Sequence, residues 1–206
     1  MLIKVCGMRE PGNIAAVAAL HPDMLGFIFY SSSPRYAGEL SPADVISLPA
    51  DIQKAGVFVN ADKAEIFDIV ERYSMTVVQL HGAESPEFCR AFREKGFRVV
   101  KAIGIEREED FKLCDRYEGC CDMLLFDTKS RKYGGTGEAF DWGLLENYRG
   151  RLPFLLSGGI GVADILRIKA FRHSRFAGID LNSRFETAPG LKDVELLADF
   201  LEGLRS

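Results

Sequence analysis

Asp127 closes the apolar run of Met123, Leu124, Leu125 and Phe126, and the glycines Gly134, Gly135 and Gly137 follow shortly after. An acid at the end of a buried strand either does proton chemistry or caps a loop, and an otherwise apolar strand gives it little structural reason to be there. Cys6 ends a second strand-like run and is followed by Gly7. A thiol in that place is either a base facing a ligand or small apolar filler. Ser157, Gly158 and Gly159 precede a helical stretch beginning near Gly161, and bare N–H groups at such a turn suit a phosphate, unless the glycines simply reverse the chain. Asp180, Asn182 and Ser183, at the end of the next strand, would complete that cradle. Arg35, after Ser33 and Pro34, is placed either to hold a carboxylate by two parallel bonds or to make a surface ion pair. Gln79 and His81 share strand parity and so share a face.

These side chains can meet only if the ends of several strands converge. Short apolar runs rich in β-formers alternate with amphipathic stretches along the chain, which marks repeated βα units around a parallel sheet. Strands are expected over 2–6, 24–29, 54–59, 76–80, 98–103, 123–126, 154–157 and 176–180, and helices over 13–20, 63–73, 86–95, 162–171 and 193–204. Ser41 before Pro42 and Ser85 before Pro86 read as helix starts, with a capping hydroxyl and a proline whose missing N–H costs nothing in the first turn. The acids of 106–110 read as a solvated helix face. Eight alternations predict a single-domain (β/α)8 TIM barrel over 1–206, whose strand ends gather at one mouth. A doubly wound open sheet is the runner-up, but no G-x-G-x-x-G follows the first strand.

With 206 residues the chain suffices for one sizeable core, and a net charge of −4 argues against a surface that tracks nucleic acid. No apolar run approaches a membrane span, and the start reads as a strand instead of a signal peptide, so a cytoplasmic location and no membrane partner are expected. Five cysteines, with no C-x-x-C pair, fit neither a disulfide framework nor a zinc site, and three scattered histidines form no local metal motif. No exposed apolar helix face stands out, which leaves a monomer as the default.

The chain resembles the phosphoribosylanthranilate isomerases of tryptophan biosynthesis from end to end. The resemblance is carried in order by the stretches 4–7, 26–29 with 33–36, 56–60, 78–82, 127–128 with 134–137 and 140–142, 157–159, and 180–183 with 189–193. It implies a barrel without cofactor or metal that performs an Amadori rearrangement on a phosphorylated small molecule. By matched position Asp127 would be the general acid and Cys6 the general base. Arg35 would hold the anthranilate carboxylate, and Gly158, Gly159, Asp180, Asn182 and Ser183 would bind phosphate. His81 and Gly135 would also contact substrate, with the glycine loop closing over it. Arg184 and Phe185 stand where the family usually has glycine and valine, Arg9 where threonine is common, and Ser31 and Ser32 where proline and lysine are usual.

The main rival is the aminoimidazole carboxamide ribonucleotide isomerase of histidine biosynthesis or a dual-substrate relative, but that family resembles two fused half-barrels with aspartate ending strand one. A metal-dependent sugar phosphate epimerase would need histidine and acid ligands at several strand ends. A non-catalytic phosphate-ligand sensor on the same barrel would bind ligand without turning it over. Acid–base work by Cys6 and Asp127 needs thiolate near neutrality and a carboxyl that keeps some proton, so the thiol pKa is expected to fall or the carboxyl pKa to rise. The rate should therefore follow a bell-shaped pH profile; a flat profile between about pH 5 and 9 would remove both roles.

Overall fold

A computed structural model describes residues 1–128 and 141–206. Eight parallel strands close into a barrel in chain order: β1 (Leu2–Cys6), β2 (Met24–Ile28), β3 (Gln53–Phe58), β4 (Val77–Leu80), β5 (Arg98–Ile105), β6 (Met123–Thr128), β7 (Phe154–Leu156) and β8 (Phe176–Leu181). The β1–β8 seam is closed in register from Leu2 opposite Gly178 to Val5 opposite Leu181. This is the (β/α)8 TIM barrel the alternation predicts.

Two apolar clusters follow from strand parity, since successive side chains point to opposite faces. Met24, Ala55, Val77, Val100, Ala102, Met123, Leu125 and Leu155 fill the barrel interior. Their neighbours, such as Val5, Val78, Ile103 and Leu124, pack outward against the helices. The same parity turns Lys4, Cys6, Gln79, His81 and Asp127 inward, so the polar ends of apolar strands share one mouth.

The helices start where capping chemistry allows. Ser85 Oγ accepts from the Phe88 amide to open α4 (Pro86–Arg93), Asp62 Oδ1 from the Glu65 amide to open α3 (Lys63–Arg72), and Ser41 Oγ from the Ala43 amide to open α2 (Pro42–Ile46). Buried Cys89 and Phe92 on α4, and Ile66 and Val70 on α3, recur at three- and four-residue spacing and face the sheet. α1 (Pro11–Ala18) precedes them, and α6 (Val194–Arg205) follows the cap of Asp193 on the Leu196 amide.

Several elements depart from expectation. The stretch expected as one helix over 162–171 divides into a 3₁₀ turn, Val162–Asp164, and a short α5, Ile165–Ala170; at its start Asp164 Oδ2 accepts from the Gly161 amide at 2.9 Å, a capping contact. The acids of 106–110 lead into a segment, Glu108–Tyr117, that is 3₁₀ throughout; Asp110 Oδ2 accepts from the amides of Glu106 and Arg107 at its start. Trp142–Asn147 is a further 3₁₀ segment, and β9 (Glu186–Ala188) pairs antiparallel with β10 (Leu191–Lys192) in a hairpin that the sequence pattern does not predict. β5 and β6 each run two residues beyond their apolar cores, so Asp127 lies within β6 and not just past it.

Outside the barrel wall, Lys101 is buried and donates to the carbonyls of Leu80, Gly82 and Ala102 and to Glu84 Oε2 at 3.2 Å. Glu84 accepts in turn from the Asn60 and Gly82 amides. The pair clamps the chain on both sides of His81 and ties the β3 loop to the β4 loop. Removing one ion from a buried pair leaves the other uncompensated, so Lys101→Met should lower unfolding stability in urea by about 3–5 kcal/mol. Lys101→Met combined with Glu84→Gln should recover part of that loss; no recovery would mean the two do not act as a pair.

Candidate active site

The strand ends surround a cavity of about 730 Å³, partly open to solvent. Cys6, Arg35, His81, Asp127, Gly158 and Gly159 border it, as do Asp180, Asn182 and Ser183. Gly135 lies outside the described residues, and so does the glycine loop expected to close over the site.

Cys6 lies in the floor, beside Lys4. Lys4 is fully buried and its Nζ donates to Asp180 Oδ1 at 2.9 Å. Burial works to lower the Lys4 pKa, but the Asp180 carboxylate and the adjacent Cys6 outweigh it and hold the lysine above its ordinary value, hence charged. Space for this arrangement comes from Gly26 on β2, where a Cβ would stand 2.8 Å from Cys6 Sγ and 3.2 Å from Lys4 Nζ. The thiol behaves against expectation: burial pushes its pKa up, and the Lys4 ammonium only partly opposes this. Asp180, expected among the phosphate contacts, instead turns its carboxylate to Lys4, where it offers no donor to an anion. Lys4 and Gly26 begin two of the stretches that carry the resemblance, but their part in the site comes from the structure; a lysine inside the apolar run of β1 was the signal that could have marked it.

Asp127 enters from β6, and its Oδ2 lies 3.4 Å from His81 Nε2. His81 Nδ1 in turn lies 3.0 Å from the Gln79 amide nitrogen. Three inward side chains from β4 and β6 thus form a continuous polar row.

Arg35 reaches the cavity from the loop after β2, but it is not a bare guanidinium. Its Nε and Nη2 grip the Glu186 carboxylate at 2.7–3.0 Å. Lys192 Nζ, itself buried, holds Glu186 and also donates to Asn182 Oδ1 at 2.8 Å. Burial tends to raise the Glu186 pKa, yet the bonds from Arg35 and Lys192 prevail and keep it below the usual carboxylate range. Gly7, at φ +80°, lets these groups close in, because a Cβ there would meet Arg35 Cδ at 2.7 Å and Asn182 Oδ1 at 2.8 Å. The β9–β10 hairpin, which no sequence pattern marks, supplies both Glu186 and Lys192.

Gly158 and Gly159 have φ of +87° and +67°, a left-handed pair that bends the chain at the end of β7. Their partner loop, Asn182 and Ser183, faces them across the cavity rim, and Arg184 joins the same rim. Phe185 turns away and packs on Phe200 with ring centroids 4.7 Å apart, so the Arg184–Phe185 pair divides between cavity and core. Asp164 occupies the Gly161 amide, which leaves the glycine pair and the Ser183 loop as the anion-facing backbone.

A family model described as N-(5'phosphoribosyl)anthranilate (PRA) isomerase matches residues 3–203. The N-(5'-phosphoribosyl)anthranilate isomerase of Parabacteroides distasonis is 47% identical over 205 residues, covering 98% of this chain and 92% of the relative. The crystal structure of the phosphoribosyl anthranilate isomerase of Thermus thermophilus superposes with a TM-score of 0.87 at 29% identity, over 100% of this chain and 98% of that one. A phosphoribosyl anthranilate isomerase solved with reduced 1-(o-carboxyphenylamino)-1-deoxyribulose 5-phosphate gives 0.83 at 30% identity, over 100% and 98%.

The thiol geometry is directly measurable. Alkylation of Cys6 by iodoacetamide, taken as the difference from Cys6→Ser, should show a midpoint above the ordinary thiol pKa of about 8.5. Lys4→Met should move it further up, because the opposing ammonium is lost. A native midpoint below about 8 would show that the cation overrides burial.

Proposed function

Because the chain belongs to the N-(5'-phosphoribosyl)anthranilate isomerase family, we propose a division of its reaction among the residues of the mouth. The enzyme rearranges N-(5-phosphoribosyl)anthranilate to 1-(2-carboxyphenylamino)-1-deoxyribulose 5-phosphate in tryptophan biosynthesis. The observation that carries the assignment of roles is that an inward thiol on β1 and an inward carboxyl on β6 face one cavity from well-separated strands of the barrel.

Asp127 donates a proton to the furanose ring oxygen; the C1–O bond breaks and the anthranilate nitrogen lone pair forms the C1=N bond of a protonated Schiff base. Cys6, as thiolate, removes the C2 proton, and its electron pair forms the C1=C2 bond of an enolamine while the nitrogen recovers its pair. Transfer of the enol proton and protonation of C1 give the ketone. Lys4 supplies the adjacent positive charge that stabilises the thiolate as it forms. Arg35 holds the anthranilate carboxylate with the N–H groups that Glu186 leaves over, and Glu186 fixes the plane of the guanidinium. Gly158, Gly159, Asn182 and Ser183 receive the phosphate, joined by Arg184. His81 stands behind the acid. Gly135 keeps its place as a substrate contact by family position alone.

This reading takes the chain as a single catalytically complete domain acting as a monomer. No helix among the described residues is long and apolar enough to cross a membrane. The five cysteines are buried and free, in keeping with a cytoplasmic enzyme.

Purified protein with chelator present should convert phosphoribosylanthranilate, read as loss of anthranilate fluorescence. Cys6→Ser and Asp127→Asn should each lower kcat at least ~100-fold, whereas Arg35→Met should act mainly on KM, raising it about 10- to 100-fold as a charged hydrogen bond is lost. Variants of Cys6 or Asp127 within a few-fold of native would sink the assigned roles.

A further inference from the structure

Gln79 is an odd choice for a barrel interior. It is 1% exposed, faces inward from β4, and its Oε1 has no hydrogen-bond partner among the described residues. A buried unpaired acceptor is destabilising, and an apolar side chain of similar volume would avoid it. What the amide does make is one contact, Nε2 to His81 Nδ1 at 3.0 Å. With the amide in this orientation its nitrogen donates, so the facing Nδ1 accepts and a neutral ring carries its proton on the far nitrogen, Nε2. That nitrogen is the one directed at Asp127 Oδ2, 3.4 Å away.

We propose that Gln79 is a positioning residue that locks His81 as the neutral Nε2–H tautomer, so that His81 presents a donor to Oδ2 of Asp127. This rests on the reading of Asp127 as the general acid. A donor facing Oδ2 makes the two oxygens of Asp127 inequivalent and stabilises the carboxylate that remains after the proton has gone. The 3.4 Å separation shortens as that negative charge develops, as catalytic hydrogen bonds do between the free and reacting states. The reversed tautomer would do the opposite: a bare Nε2 would compete with the ring oxygen for the proton of Asp127. Among the described residues, Asp180 on β8 with its partner Lys4 on β1, Arg35 with Glu186, Lys101 with Glu84, and Arg184 also stand at this end of the barrel, and the first three cations are each held by a carboxylate.

The test is nitrogen-15 NMR of the full chain carrying labelled histidine, with the His81 signals identified by their loss in His81→Asn. At neutral pH native His81 should be the Nε2–H form. Gln79→Leu should release the tautomer to a mixture and lower kcat about 10-fold with KM within about 2-fold, in the range of lost supporting contacts. Gln79→Glu, which can only accept from Nδ1–H, should move His81 to the Nδ1–H or doubly protonated form and lower kcat further. A native Nδ1–H tautomer, or Gln79→Leu with unchanged ring signals in a folded protein, would overturn the proposal. Full activity of Asp127→Asn would refute the acid role while leaving the tautomer result standing, so the two failures are told apart.

Discussion

The Lys4–Asp180 ion pair is the interaction on which the site depends. Its two members sit opposite each other in register on β1 and β8, the seam that closes the barrel, and both are buried. Each ion alone would carry a desolvation cost of several kcal/mol, roughly, so neither is tolerable without the other. Their pairing therefore does two things at once: it makes the barrel interior accept a permanent positive charge, and it puts that charge next to Cys6. Apolar residues would close the same seam at least as well, which makes the charge a feature of the chemistry more than of stability. Gly26 belongs to this device, since any side chain on β2 would fill the space the sulfur and the ammonium share.

The rim follows the same logic with different partners. Arg35, Glu186, Lys192 and Asn182 form one chain of charge-assisted bonds from the β2 loop to the β9–β10 hairpin. A guanidinium clamped on one edge loses little freedom when a carboxylate takes its remaining N–H groups, which is the physical content of preorganisation. Glu84 and Lys101 brace the opposite side by fixing the backbone around His81. The charged groups Lys4 and Arg35 that reach the site are thus each held by a carboxylate behind them.

Much of this is legible in the amino-acid sequence, and the reasons for the failures are specific. All eight strands are visible because a barrel strand buried on both faces must read as an apolar run, and the site residues are visible as the polar letters at the ends of those runs. Lys4 escapes notice because it lies inside such a run, where its partner is 176 residues away and has no local signal. Lys101 likewise lies inside an apolar run, Glu84 reads as an ordinary loop acid, and Glu186 and Lys192 escape because a hairpin with a two-residue strand leaves no period to detect. The segment 162–171 has the right apolar spacing for a helix, yet its first turn winds as 3₁₀, a tightening common at helix ends that periodicity does not register. Asp180 stands at the expected strand end with an unexpected partner, since position alone does not say whether a carboxylate meets a phosphate or an ammonium.

Acid and base need opposite surroundings, and the barrel supplies them from its two sides. On the Cys6 side a buried cation opposes the burial that keeps the thiol protonated, so loss of the proton is what the local charge rewards. On the Asp127 side a cation of the same kind would be harmful. An imidazolium at 3.4 Å would favour the carboxylate by roughly 5 kcal/mol at an effective dielectric constant of about 20, which works against an acid that must take its proton back in every turnover. A neutral imidazole gives a directed donor without the net charge. The difference between a lysine beside the base and a histidine beside the acid then follows from the reaction, because an uncharged donor stabilises the carboxylate as the proton leaves without adding a full positive charge that would oppose its return.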